Sequence, residues 1–312
     1  MRELVLGTRG SALALWQARH VASALRAIEP GRRIVERIIK TAGDSQQIAP
    51  LGRSDVGVFV RRIEQALLAR EIDLAVHSMK DLPTRQPDGL TIASVPPRHD
   101  PRDALLTIDG AQLDELPAGT LIGTGSLRRR TQLLHARPDL GTAPLRGNVD
   151  TRLAKLVAGE FGAVVLAIAG IERLGLDRVP YRKLPVEVCL PAVGQGALAI
   201  ETRTEDGEVR ELVGALDDPP SRLAVEAERA FLHELGGGCL APATSYATIR
   251  DGRIDLTAVV GDADGIELLR DSETGASTAA REIGVRLARR MKRAGADRLL
   301  ELSRQAAGDE RR

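Results

Sequence analysis

The stretch "VFVRRIEQALLAREIDLAVHSMKDLP", Val58 to Pro83, decides the fold. Its first half, through Arg70, has the amphipathic pattern of a helix, and "IDLAVHS" after it reads as a short apolar strand. Upstream the same unit repeats: "ELVLG" reads as a strand, Ser11 caps a helix, and "RIVERIIK" reads as the next strand. Within that first helix Leu13, Trp16, His20, Val21, Leu25 and Ile28 recur at helical spacing, which predicts its buried face. Strands alternating with helices imply a mainly parallel sheet covered on both faces.

The alternation restarts after "SVPPRHDPRDALL", where Pro96, Pro97 and Pro101, with Pro87 before them, mark a linker or hinge. Strand "TLIGT", helix "SLRRRTQLLHAR", strand "APLR", helix "VDTRLAKLVAG" and strand "GAVVLAI" make a second α/β unit. "GQGALA", Gly194 to Ala199, matches a loose dinucleotide pattern, but Pro191 interrupts the approach; a tight turn entering a helix is the better reading. The last third changes character. Helix "SRLAVEAERAFLHEL" leads to a glycine-rich loop, and Asp251-Gly252 joins two strands in a hairpin. "IELLRDSE" adds a strand, "AAREIGVRLARRMKRAGADRLLEL" a helix, and "QAAGDERR" a frayed end. That order predicts a small α+β domain.

At 312 residues the chain exceeds one ordinary core, so two or three domains are expected. It is 43% hydrophobic, with 44 basic residues against 43 acidic, the balance of a soluble globular protein. A net charge of +1 gives no general attraction to nucleic acid or anionic membrane, and 2% aromatic residues leave few stacking platforms. Two cysteines, fifty residues apart, fit a reducing compartment, and "MRELVLGTRGSALALWQ" lacks a signal or membrane run; a cytoplasmic location is expected. The histidines at 20, 77, 99, 135 and 233 never fall at metal-ligand spacing, and no metal is expected. No Walker phosphate loop occurs.

Arginine recurs on turns between strand and helix. Arg9 lies in "GTRGS", Arg128, Arg129 and Arg130 follow "GTGS", Arg146 lies in "LRGN", and Arg152 is in the first turn of the next helix. Such junctions border the ligand crevice of open α/β sheets, and helix starts favour anions. A charged hydrogen bond from a guanidinium to a carboxylate is worth roughly 1.5–3 kcal/mol. Any one of these arginines reads first as a surface salt bridge; the set points to a ligand with several carboxylates or phosphates. Ser78, Lys80 and Asp81 end the strand "IDLAV". Asp81 is either a salt-bridged structural acid or a carboxylate kept ionised by cations, able to stabilise a cation formed in a reaction. Cys239, in "LHELGGGCLAPATS", follows Gly236, Gly237 and Gly238: it is either an idle buried thiol or one presented to something large.

The segments "TRGSALALWQA", "AVHSMKDLP", "DPRDAL", "GTGSLRRR", "LRGNVDTRL", "LPAVGQGAL" and "GGGCLAP" occur in one order from Thr8 to Cys239. As an ordered set they resemble the porphobilinogen deaminase, or hydroxymethylbilane synthase, family. The resemblance implies two α/β lobes like those of periplasmic binding proteins plus a small C-terminal α+β domain. Domain 1 would take 1–96 and 195–217, domain 2 101–190, and domain 3 220–312. It implies a monomeric transferase that adds four porphobilinogen molecules, with loss of ammonia, to a covalent dipyrromethane primer, and then releases hydroxymethylbilane by hydrolysis.

By resemblance Cys239 carries the dipyrromethane through a thioether, while Lys80, Asp81, Ser126, Arg128 and Arg129 bind it. Arg9, Ser11, Phe59, Arg146, Arg152 and Arg173 would bind substrate or the growing chain. Asp81 would be the essential acid, stabilising the cation left when ammonia departs and helping to move protons. Cys189 has no family role and reads as a buried strand residue. Two departures stand out: Val56 lies near a position where the family often has lysine, and Gly125 where it often has serine. A non-catalytic two-lobed polycarboxylate-binding protein is the alternative; it accounts for the arginines but not for Asp81 beside Lys80 or for Cys239.

Overall fold

The computed structural model describes residues 2–39, 58–176, 179–236 and 241–309. The expectations placed on Val56, Cys239 and the Phe59 side chain lie outside what is described. Two compact units form: Met1–His99 with Ala197–Arg222, and Asp100–Gly196 with Leu223–Arg312.

Unit 1 begins with β1 (Leu4–Thr8), α1 (Ala12–Ile28), β2 (Ile34–Ile38), α2 (Val58–Leu68), β3 (Leu74–Ser78) and β4 (Leu90–Ser94). Unit 2 then takes β5 (Asp103–Leu106), β6 (Leu121–Gly123), α3 (Leu127–Ala136), β7 (Gly141–Ala143), α4 (Val149–Val157), β8 (Ala163–Ala167), α5 (Ile168–Arg173) and β9 (Tyr181–Lys183). The chain returns to unit 1 with β10 (Leu198–Arg203) and α6 (Gly207–Gly214), and leaves it along α7 (Pro219–Leu235). Strands β11 (Ala243–Arg250), β12 (Arg253–Gly261) and β13 (Leu268–Ala276), then helices α8 (Ala280–Arg293) and α9 (Ala296–Asp309), complete unit 2.

The sheet of unit 1 runs β2-β1-β3-β10-β4, and that of the second lobe β7-β6-β8-β5-β9. Each is mainly parallel as expected, four of its five strands sharing one direction, with a single strand reversed. β10 lies antiparallel between β3 and β4, and β5 antiparallel between β8 and β9. A helical crossover forces parallel strands, but these two enter their sheets by other connections and are free to run backwards. Helices cover both faces of each sheet. In unit 1, Val21 and Leu25 of α1 and Val209 of α6 pack on Leu6, Leu74 and Ile200, while Ile63 and Leu67 of α2 pack with Ile72 and Ala75. In the second lobe, Leu153 and Leu156 of α4 meet Leu106 and Val164, and Leu133 of α3 meets Leu105 and Val165. A separate core joins Phe231 of α7, Ile283 and Leu287 of α8 and Leu299 of α9 to Ile254 and Leu256 of β12. The result is two α/β lobes and a small C-terminal α+β domain.

The buried face of α1 is Gln17, Ala18, Val21, Ala22 and Leu25, which keeps Val21 and Leu25 of the predicted stripe but not its other members. Small alanines let the helix approach the sheet closely, leaving His20 exposed and Ile28 43% exposed. Strand β7 stops at Ala143 instead of covering "APLR", because Pro144 has no N–H to give the ladder. "GQGALA" turns into strand β10, not a helix; Gly194 and Gly196 sit at φ 69° and 86°, a left-handed backbone no helix continues from. The C-terminal helix is broken at Gly295, φ 104°, and α9 keeps "QAAGD" helical through Asp309. Cys189 is buried as expected, but in the loop after the Val186–Val188 turn rather than in a strand. The hairpin at Asp251 and Gly252 is as predicted, with both residues at positive φ, 49° and 72°.

The C-terminal domain is docked on α3. Thr131 Oγ1 donates to the Asp262 carbonyl at 2.5 Å, Arg130 pairs with Asp264 at 2.8 Å, and a Cβ at Gly265 would lie 2.5 Å from the Thr131 carbonyl. No helix among the described residues is long and apolar enough to cross a membrane.

Candidate active site

In unit 1 two strand ends carry the candidate residues. β1 ends at Thr8, Arg9 follows half-buried, and Ser11 caps α1, its Oγ accepting from the Ala14 N–H at 3.3 Å. β3 ends at Ser78, whose Oγ accepts from Gln17 Nε2 at 2.8 Å, tying α1 to the strand end. The chain then makes one 3-10 turn, Met79–Asp81. Met79 is buried and its N–H donates to the Ala197 carbonyl at 3.0 Å; Leu82 is buried as well. These anchors hold Lys80 half-buried and Asp81 exposed, so the acid is presented from a fixed turn.

Beneath that turn lies a buried acidic group absent from the sequence reading. His77 Nε2 sits 3.2 Å from Glu201 Oε2, and Glu64 on α2 is also buried. Burial, then the charge of Glu201, pushes the Glu64 carboxyl up from its ordinary value.

In unit 2, Ser126 caps α3, its Oγ accepting from the Arg129 N–H at 3.5 Å. Arg128 and Arg129 are buried, and both turn inward to Asp103, the first residue of β5, which is 0% exposed. Arg128 Nη1 donates to Asp103 Oδ2 at 2.8 Å and to the Leu190 carbonyl at 2.6 Å. Arg129 Nη2 donates to Asp103 Oδ1 at 2.7 Å, and its Nη1 to the Val165 carbonyl at 2.8 Å. Gln195 Nε2 adds a third donor to the carboxylate, reaching Oδ1 at 2.8 Å. Burial alone would raise the Asp103 carboxyl, but the charges and hydrogen bonds of the two arginines outweigh it and hold the group well below the usual carboxylate range. Arg130, next on the helix, points instead to Asp264.

The remaining candidates surround the start of α4 and the end of α5. Asn148 caps α4, and Gly147 before it sits at φ 109°, where a Cβ would lie 2.8 Å from Thr151. That glycine's carbonyl accepts from Arg152 Nε at 2.8 Å, while Arg146 is exposed on the same turn. Burial, then the charge of Arg129, pushes Arg152 down from its ordinary value. Arg173 donates from Nη2 to the Gly196 carbonyl at 2.7 Å, and burial pushes it down to about 10. The structure thus groups Ser126, Arg128, Arg129 and Arg152, and it adds Asp103 and Gln195. Both additions lay in plain view inside "DPRDAL" and "GQGAL", but a residue 25 or 92 positions away leaves no periodic signal.

Residues 4–211 match the family model for "porphobilinogen deaminase, dipyromethane cofactor binding domain", and residues 222–293 the model for its C-terminal domain. The chain belongs to the porphobilinogen deaminase family. It is 50% identical over 307 residues to the porphobilinogen deaminase of Desulforudis audaxviator, covering 98% of this chain and 99% of that one. To that of Brevibacillus brevis it is 47% identical over 303 residues, covering 96% and 97%. Among solved structures, a periplasmic binding protein of Salmonella typhimurium described as highly specific for arginine aligns at TM-score 0.41 and 14% identity, over 71% of this chain and 94% of that one. Membership in the family displaces the non-catalytic binding protein as a reading.

The residues present fit a group that carries carboxylates. Arg129 Nε is buried and has no hydrogen-bond partner among the described residues, and Arg152 bears a burial cost that a bound anion would offset. At Gly125 a Cβ would lie 3.1 Å from the Leu145 carbonyl oxygen, so the departure from serine coincides with a tight approach.

Proposed function

We propose that the chain, as a porphobilinogen deaminase, uses Asp81 as its catalytic acid and the arginines of unit 2 to hold carboxylates. The observation that carries this is the cluster within unit 2, where two buried guanidinium groups share one carboxylate; within unit 1, Asp81 is exposed on an anchored turn. Cys239 would hold a dipyrromethane, and that group would supply a nucleophilic α-carbon. Ser126, Arg128 and Arg129, with Lys80, would hold its acetate and propionate groups. Arg9, Ser11, Phe59, Arg146, Arg152 and Arg173 would hold the carboxylates of incoming substrate.

Asp81 acts on charge. When porphobilinogen loses ammonia it becomes a methylene-pyrrolenine cation, and a carboxylate about 4 Å away stabilises such a charge by roughly 1–4 kcal/mol, depending on how much water is excluded. That corresponds to roughly a fivefold to thousandfold gain in rate. The same carboxylate can take up the proton lost when the new ring regains its aromaticity. The transferase class, a cytoplasmic location, a monomeric state and the absence of a nucleic-acid partner complete the reading; the net charge of +1 agrees with the last.

The test is the intact mass of the purified, denatured chain beside its Cys239→Ser variant. A mass excess equal to two linked pyrrole units, absent from the variant, is expected. A chain that stays unmodified after incubation with porphobilinogen would refute the assignment of Cys239. Asp81→Asn should still gain the mass while its turnover falls roughly fivefold to thousandfold; near-normal turnover would remove Asp81 from the mechanism.

A further inference from the structure

We propose that Asp103 is a positioning residue: a buried anionic anchor that fixes Arg128 and Arg129 in place and leaves the three groups with one net positive charge for a ligand carboxylate. The inference rests on the reading that these two arginines hold the dipyrromethane carboxylates.

The geometry is that of a clamp. Each guanidinium is pinned at two points, one on Asp103 and one on a backbone carbonyl: Leu190 for Arg128 and Val165 for Arg129. A planar group held at two points cannot swing, and both arginines leave α3 at its first turn. Both oxygens of Asp103 are in use. Oδ1 accepts from Arg129 and Gln195, and Oδ2 from Arg128, with the Cys189 thiol at 3.6 Å. The carboxylate therefore has no freedom to turn towards a ligand, and its role runs through the arginines.

Charge counting separates this from an ordinary buried salt bridge. A structural pair matches one acid to one base, since an uncompensated charge away from water is costly. Here one carboxylate faces two guanidiniums, every one of the three residues nearly buried. Arg129 keeps a buried Nε without a hydrogen-bond partner among the described residues, and its charge is felt at Arg152. The three groups share one unmatched positive charge, and the orphaned donor on Arg129 belongs to the same cluster. A ligand carboxylate supplies what both lack.

The test uses the full chain, prepared without cofactor, and follows by intact mass the rate at which it gains the dipyrromethane on incubation with porphobilinogen. Rates are expressed per folded molecule, with the folded fraction taken from circular dichroism. Asp103→Asn keeps the shape and removes the charge; Asp103→Glu keeps the charge and lengthens the arm. An anchoring charge predicts loading slowed tenfold or more by Asn and by less with Glu. A packing role puts isosteric Asn ahead of Glu, and that order, or normal loading in Asp103→Asn, overturns the proposal. Arg129→Lys is run in parallel. If it loads normally, the arginine reading itself fails; if it loads slowly while Asp103→Asn does not, only the role of Asp103 falls. Gln195→Ala leaves both ion pairs and lets the carboxylate turn, so it serves if neither Asp103 variant folds: threefold or slower loading is expected, and unchanged loading refutes the anchor.

Discussion

Gly284 is where α8 crosses α7, and replacing it with alanine should unseat the C-terminal domain. A Cβ there would lie 2.3 Å from the Ala227 carbonyl oxygen, 2.9 Å from the Phe231 amide nitrogen and 3.0 Å from the Ala230 Cβ. Ordinary carbon–oxygen approach is about 3.3 Å, so the two helices would have to part by about 1 Å. The obstacles are mainly backbone atoms of a neighbouring helix, which no rotamer change can clear. Two effects oppose each other. Alanine gains about 1 kcal/mol over glycine in a helix interior. Overpacking costs about 1–3 kcal/mol, and a backbone clash belongs at the upper end. The clash wins, with a net loss of about 2 kcal/mol, or roughly 8–16 °C in midpoint for a domain of this size. Because α7 ends at Leu235, four positions before Cys239 in the sequence, cofactor loading should slow as well. Thermal unfolding followed by circular dichroism measures the first effect and intact mass the second. Gly214→Ala in α6 is the control: a Cβ there meets nothing within 4 Å, and stability should rise by about 0.5–1 kcal/mol. A Gly284→Ala chain as stable as the parent would refute the close crossing of α7 and α8.

Two further perturbations test the interior of unit 2. Burial first, and then the charge of Asp103, push the Cys189 thiol up to about 12. A thiol raised in the folded state contributes fully below its unfolded value of about 8.5, and the contribution fades as pH rises towards the folded value, by about 1.4 kcal/mol per pH unit. Cys189→Ala should therefore lose less stability than the parent between pH 8 and about 10 in urea unfolding; parallel losses would contradict the thiol's burial beside Asp103. Glu228 on α7 accepts from the Gly194 N–H at 2.7 Å and the Ala247 N–H at 2.9 Å, joining three separate segments. Glu228→Ala leaves both amides buried and unsatisfied at about 1–3 kcal/mol each, and a measured loss under about 1 kcal/mol would show that the segments do not depend on it.

Much of the site was legible because its residues sit where local patterns change. The strand "IDLAVHS" ends in a turn, so Lys80 and Asp81 had to lie at a strand end, and the cap at Ser11 was readable from the residues alone. Phase on a helix was harder. Arg128, Arg129 and Arg130 look alike in sequence, yet steps of about 100° send the first two to Asp103 and the third to Asp264. The stripe of α1 was displaced for a related reason: Ala18 and Ala22 face the sheet because they are small, and small residues carry little hydrophobic signal.

By itself the sequence determined the alternation of strands and helices, the α+β character of the last third and, through an ordered set of motifs, the family. Those features depend on contacts within a few residues or on segments read whole. Only the tertiary structure decided that β5 and β10 run against their neighbours and that the paired arginines share one buried acid. Backbone direction in a sheet depends on how a distant segment returns to it. The partner of a buried charge depends on which strand the fold brings alongside. Asp103 is 25 and 26 residues from its arginines and 92 from Gln195, so nothing short of the folded sheet puts those four side chains in hydrogen-bond range.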